Sequence, residues 1–112
     1  MSLEIKDERV EQALIIMPIG RLDSRTAADF ESHVIGAIGR GETSLLFDLS
    51  EMAYISSAGL RVLLMAAKRL RGDAGRLAVC SMSDPIRQVF EIGGFTKILP
   101  VKADRAEAFA SW

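Results

Sequence analysis

The run Leu45-Leu46-Phe47, closed by Asp48-Leu49-Ser50, shows no alternation of apolar and polar residues. A strand built from it has to be covered on both faces, which places it centrally in a sheet flanked by helices. A short connector follows, and Ser56-Ser57-Ala58-Gly59 then opens a segment with helical spacing. Leu60, Leu63, Leu64, Ala67 and Leu70 form its apolar side, while Arg61, Met65, Lys68 and Arg69 lie on the other. The stretch reads as strand from Ser44 to Asp48, loop, and serine-bearing helix from about Ser57 to Arg71.

The flanking segments repeat that alternation. Leu3 to Val10 mixes apolar and charged residues weakly, as an edge strand with one wet face does. Ala13 to Ile19 is almost wholly apolar and predicts a strand covered on both faces, with Pro18 near its end. Gly20-Arg21-Leu22-Asp23 reads as the turn into a helix capped by Asp23 or Ser24. From Thr26 to Ile38 the residues Ala27, Phe30, Val34 and Ile38 make one stripe, and Gly39 and Gly41 close the helix.

Further on, Gly72 and Gly75 frame a turn around Asp73, and Arg76 to Cys80 supplies another strand. Ser83-Asp84-Pro85 starts a helix whose apolar side is Ile86, Val89 and Phe90 and whose end is Gly93-Gly94. Lys97 to Val101, interrupted by Pro100, suits a sheet edge. A last helix from about Ala103 to Ala110 offers Ala106, Phe109 and Trp112 to the body. The order ββαβαβαβα predicts an α/β fold, a mostly parallel central sheet of about five strands with about four helices, as one domain over residues 1–112.

Composition narrows the function classes. The hydrophobic fraction of 49% and charged fraction of 26% are those of a globular chain. Fourteen basic against fifteen acidic residues give a formal charge of −1, so no global field draws the chain to nucleic acid or an anionic membrane. The apolar runs fall short of the roughly 20 residues of a membrane helix, and MSLEIKDERV lacks the apolar core of a signal peptide. A cytoplasmic location and no membrane insertion are therefore expected. Cys80, the only cysteine, sits in Leu77-Ala78-Val79-Cys80 and is expected to be a buried filler.

Serine at a strand-to-helix turn invites comparison with a nucleophile elbow, which requires glycine two residues before the serine as well as after it. Here Ile55 precedes and Gly59 follows Ser57. The single histidine, His33, falls on the first helix as a surface residue, so no base is supplied. One histidine and one cysteine far apart make no metal-ligand spacing. Gly36, Gly39 and Gly41 end a helix instead of opening one, and no phosphate-binding glycine fingerprint occurs. Neither a catalytic residue, nor a cofactor, nor a metal is expected.

The start of the second helix remains. Ser56 or Ser57 can cap it, and a phosphate there would meet free backbone N–H groups and the positive end of the helix dipole. Arg61, four residues beyond Ser57, lies one turn away and can pair with such a phosphate. A plain helix cap is the alternative. The outer face, with Arg61, Met65, Lys68 and Arg69, joins flexible apolar reach to positive charge, a composition suited to docking on a partner protein.

At this point the chain resembles the STAS domains, a family named for sulfate transporters and anti-sigma factor antagonists. Gly20-x-Leu22-Asp23-x-x-Thr26-Ala27 is similar to the family's segment between its second strand and first helix. Asp48-Leu49-Ser50 followed by Tyr54-Ile55-Ser56-Ser57-Ala58-Gly59-Leu60 is similar to its signature loop. The resemblance implies partner switching: an unphosphorylated antagonist binds an anti-sigma factor that is also a serine kinase, phosphorylation of the loop serine blocks this, and a serine phosphatase restores it. The acceptor carries over to Ser57, with Ser56 as the alternative, since Ser56 stands where many members have aspartate. Asp23 matches the acidic residue bordering the same surface, and Asp23, Ser56, Ser57, Arg61, Met65, Lys68 and Arg69 form the expected partner-binding set.

A second role open to this family is a STAS subunit of a lipid-transport ABC complex docking on its ATPase. Composition does not separate a partner-docking from a self-association surface, so the oligomeric state stays open.

Overall fold

The computed structural model describes residues 3–70 and 75–112. The turn expected around Gly72 and Asp73 and the end of the second helix at Arg71 lie outside those residues. The elements are β1 (Glu4–Arg9), β2 (Leu14–Leu22), α1 (Ala27–Gly39), β3 (Ser44–Asp48), β4 (Met52–Ile55), α2 (Ser57–Arg69), β5 (Arg76–Cys80), α3 (Asp84–Ile92), β6 (Val101–Lys102) and α4 (Arg105–Ala110). The six strands form one sheet in the order β1-β2-β3-β5-β6, with β4 paired to β2. Only β1 runs antiparallel to its neighbour, and β3 lies at the centre, between β2 and β5.

The period-two alternation of strand side chains divides the core. Leu14, Ile16, Leu45, Phe47, Leu77 and Val79 join Phe30 and Val34 of α1, Leu60 and Leu63 of α2, and Ile86 and Phe90 of α3 in the larger cluster. The intervening residues Ile15, Leu46, Ala78 and Cys80 form a smaller one with Ala108, Phe109 and Trp112 from the α4 end. Each large side chain removed from water in this way contributes about 1.5–3 kcal/mol. The unbroken apolar run of β3 is thus explained: its alternate residues serve two different cores.

Five local expectations need correction. β2 continues through Pro18 and Gly20 to Leu22 where a turn was expected. Its parallel pairing with β3 ends at Ile16 and that with β4 begins at Gly20, so proline's missing donor falls opposite a gap. Gly20, at φ 106°, takes the irregular step at which the strand changes partner. The connector after Ser50 contains β4, a strand of four residues.

The strand expected at Lys97–Val101 is instead a 3₁₀ turn at Phe95–Lys97, followed by β6 at Val101–Lys102. Phe95 meets Phe90 edge to face, with ring centroids 6.3 Å apart, and that contact holds the chain in a turn. In α4 the buried residue is Ala108, whereas Ala106 is exposed. α1 begins at Ala27, with Thr26 at the cap position; Asp23 organises the turn before it.

Candidate functional site

β2 and β4 carry the two motif segments side by side: Arg21 pairs with Tyr54 and Leu22 with Ile55. The Ser56 N–H then donates to the Leu22 carbonyl at 2.9 Å. The β2–β4 pairing, extended by this bond, brings Asp23 and the start of α2 to the same end of the sheet.

Ser56 caps α2. Its Oγ accepts the Gly59 N–H at 3.3 Å, and its carbonyl accepts the Leu60 N–H at 3.0 Å. Ser57 is the first residue of the helix and is exposed, while Ser56 is half-buried. The two adjacent serines are therefore not equivalent: one hydroxyl is engaged in the cap and the other faces solvent. Gly59 lets the helix start lie directly on the core. A Cβ there would sit 2.6 Å from Leu22 Cγ and 3.1 Å from Ile55 Cγ1.

Asp23 holds the opposite lip. Its Oδ1 accepts N–H groups from Arg25 at 2.9 Å and Thr26 at 3.2 Å. The buried Thr26 hydroxyl donates to the Arg21 carbonyl at 2.9 Å and accepts the Asp23 N–H at 2.9 Å. Partial burial raises the Asp23 carboxyl's pKa, but these N–H donors, the Thr26 hydroxyl and Arg21 outweigh it and hold the group below its usual value. Asp23 is thus a fixed negative charge beside the α2 start at neutral pH.

Along α2, Arg61, Lys68 and Arg69 are exposed and Met65 is half-buried, so the expected basic face exists. Leu64 and Ala67, assigned to the apolar side, are only partly buried; Gly59, Val62 and Ala66 take their place in the core. The structure brings Asp23, Ser56 and Ser57 to one end of the sheet and strings Arg61, Met65, Lys68 and Arg69 down the helix.

Arg21 and Tyr54 belong to the same surface and were missed from sequence. The Arg21 guanidinium lies 4.2 Å from the Tyr54 ring centroid, and its Nε is 3.8 Å from Asp23 Oδ2. Reading Met52–Ile55 as a strand parallel to Gly20–Leu22 would have paired them.

His33 Nε2 lies 2.8 Å from Asp7 Oδ1, between α1 and β1 and away from both serines. Among the described residues, no group of three or more histidine, cysteine or acidic side chains could hold a metal ion. No helix among them is long and apolar enough to cross a membrane.

The family model described as "STAS domain" matches residues 4–108. A Bordetella bronchiseptica protein bearing the name "Putative anti-sigma factor antagonist BtrV" is 36% identical over 110 residues, covering 98% of this chain and 95% of its own. The anti-sigma-B factor antagonist of Listeria monocytogenes is 32% identical over 102 residues, covering 91% and 89%. Among solved structures, an anti-sigma factor antagonist from Mycobacterium paratuberculosis superposes with a TM-score of 0.90 at 20% identity, covering 97% of this chain and 92% of that one.

Proposed function

The chain belongs to the STAS domain family, and from that premise we propose that it is an anti-sigma factor antagonist, a regulatory binding module and not an enzyme. Its unphosphorylated form binds an anti-sigma factor that doubles as a serine kinase, and so frees a sigma factor in the cytoplasm. Phosphorylation of Ser57 breaks the complex and a serine phosphatase restores it. The names borne by the relatives at 36% and 32% identity support the general role.

The observation that carries the switch is the division of labour between the paired serines. Ser56 is occupied as the helix cap, and Ser57 is exposed on the next residue. A kinase can reach Ser57 without dismantling the helix start. Phosphorylation there adds a charge of about −1.5 to −2 at the head of a basic face, changing what a partner meets without unfolding the domain.

The test is retention of a purified ATP-binding anti-sigma factor on immobilised chain. Ser57→Ala is expected to retain it and Ser57→Asp to release it; equal affinity of the two variants would sink the mechanism. Retention of a purified transporter ATPase on the same immobilised chain, with the anti-sigma factor not retained, would favour the transport-subunit role.

A further inference from the structure

A groove of about 300 Å³ runs between the N-terminal halves of α1 and α2. Small side chains open it: Ala28 comes from α1 and Ala58 from α2, with Met65 further along. Glu31 of α1 and Arg61 of α2 also line it and give it one anionic and one cationic side. Neither takes part in an ion pair among the described residues. Ala58 immediately follows Ser57, and Arg61 lies one helical turn beyond it, so the groove adjoins the residue that carries the switch.

Resting on the antagonist reading above, we infer that this groove seats one aliphatic or methionine side chain of the anti-sigma factor, flanked by a carboxylate directed at Arg61 and a cation directed at Glu31. The same inference makes Arg61 the group for which the partner's carboxylate and the Ser57 phosphate compete. The volume admits a large apolar side chain together with part of the backbone that carries it, and the alanines leave room that bulkier residues would fill. Opposite charges on the two sides fix the direction in which a docking segment lies.

Arginine binds carboxylate and phosphate through the same forked donors. It cannot satisfy a partner carboxylate fully while engaged by a phosphate one turn away. Phosphorylation would then act twice at one place, withdrawing the cation and presenting like charge to the incoming carboxylate. Lys68 and Arg69 are further along the helix and stay available in both states, so the discrimination rests on Arg61.

The experiment measures the affinity of the purified anti-sigma factor for the full chain and for Ala28→Trp, Arg61→Gln, Ser57→Asp and the Ser57→Asp/Arg61→Gln double variant. Ala28 is exposed, so tryptophan fills the groove from outside; an unchanged thermal midpoint checks that the fold is intact. Ala28→Trp and Arg61→Gln are each expected to weaken binding by about tenfold or more, the scale of a buried anchor. The loss caused by Ser57→Asp is expected to be markedly smaller in the Arg61→Gln background than in the native one.

Native affinity in Ala28→Trp removes the groove as the docking seat. Equal Ser57→Asp losses in both backgrounds remove the shared cation while leaving the switch itself standing. If Ser57→Asp costs nothing in the native background but Ala28→Trp still weakens binding, the groove is upheld, and the competition for Arg61 falls together with the switch.

Discussion

Arg105 Nε donates to Asp48 Oδ2 across 2.7 Å, fastening the last helix to the end of the central strand. Asp48 is only 5% exposed, and its Oδ1 accepts the Ser50 N–H at 3.0 Å. The other arm of Arg105 reaches Glu8 Oε1 of β1 at 3.0 Å. One guanidinium thus joins α4, β3 and β1 on the face of the sheet that α4 covers.

Burial raises the Asp48 carboxyl's pKa, but the bonds from Ser50 and Arg105 prevail and hold it below its usual value. A carboxyl with a depressed folded-state pKa stabilises the fold above the unfolded value of about 3.9, and the contribution is lost as pH falls through the folded value. Asp48→Asn is expected to cost about 1–3 kcal/mol at neutral pH and to flatten the loss of stability below about pH 4. Urea unfolding across that range checks it; a variant with native stability and native acid response would contradict the role.

Gly59→Ala is expected to destabilise the chain by about 1–3 kcal/mol, because the new methyl group would overlap Leu22 and Ile55 in the packed core. The urea midpoint reports this directly. Since α2 would have to lift from β2 and β4, the same variant is also expected to weaken partner binding.

Ser56→Ala removes the helix cap and is expected to cost about 1 kcal/mol while leaving Ser57 open to modification. Mass spectrometry after incubation with kinase and ATP separates the serines. Phosphate on Ser57 in both the native chain and Ser56→Ala is the expected result; phosphate on Ser56 of the native chain would reverse the assignment.

Cys80 is fully buried, and that burial pushes its thiol pKa up. Slow reaction with a thiol reagent in the folded chain and immediate reaction in denaturant are expected. Rapid labelling of the folded chain would show that α4 leaves this face open.

The outline of the fold was legible because each long element carries its own pattern: β3 its unbroken apolar run, α1 its stripe of Ala27, Phe30 and Val34. What escaped depends on contacts between distant segments. β4 is a strand only because Gly20–Leu22 lies beside it, and Gly20, a turn residue by local rules, serves there as the bend within a strand. Phe95 makes a turn because Phe90 is underneath. At the site, Ser57 and Asp23 came from motif resemblance, whereas Arg21 on Tyr54 required knowing the register of two strands. Asp48 with Arg105 joins positions 57 residues apart, which no local pattern announces.

β1 closes one edge of the sheet with Glu4, Lys6, Asp7, Glu8 and Arg9 around a single Ile5. Charges along an open edge discourage a second strand from adding to it. In the antagonist role proposed above, this has a quantitative meaning. A copy kept out of stacks of its own kind would remain available to its target, so the response would rise in proportion to the number of chains made.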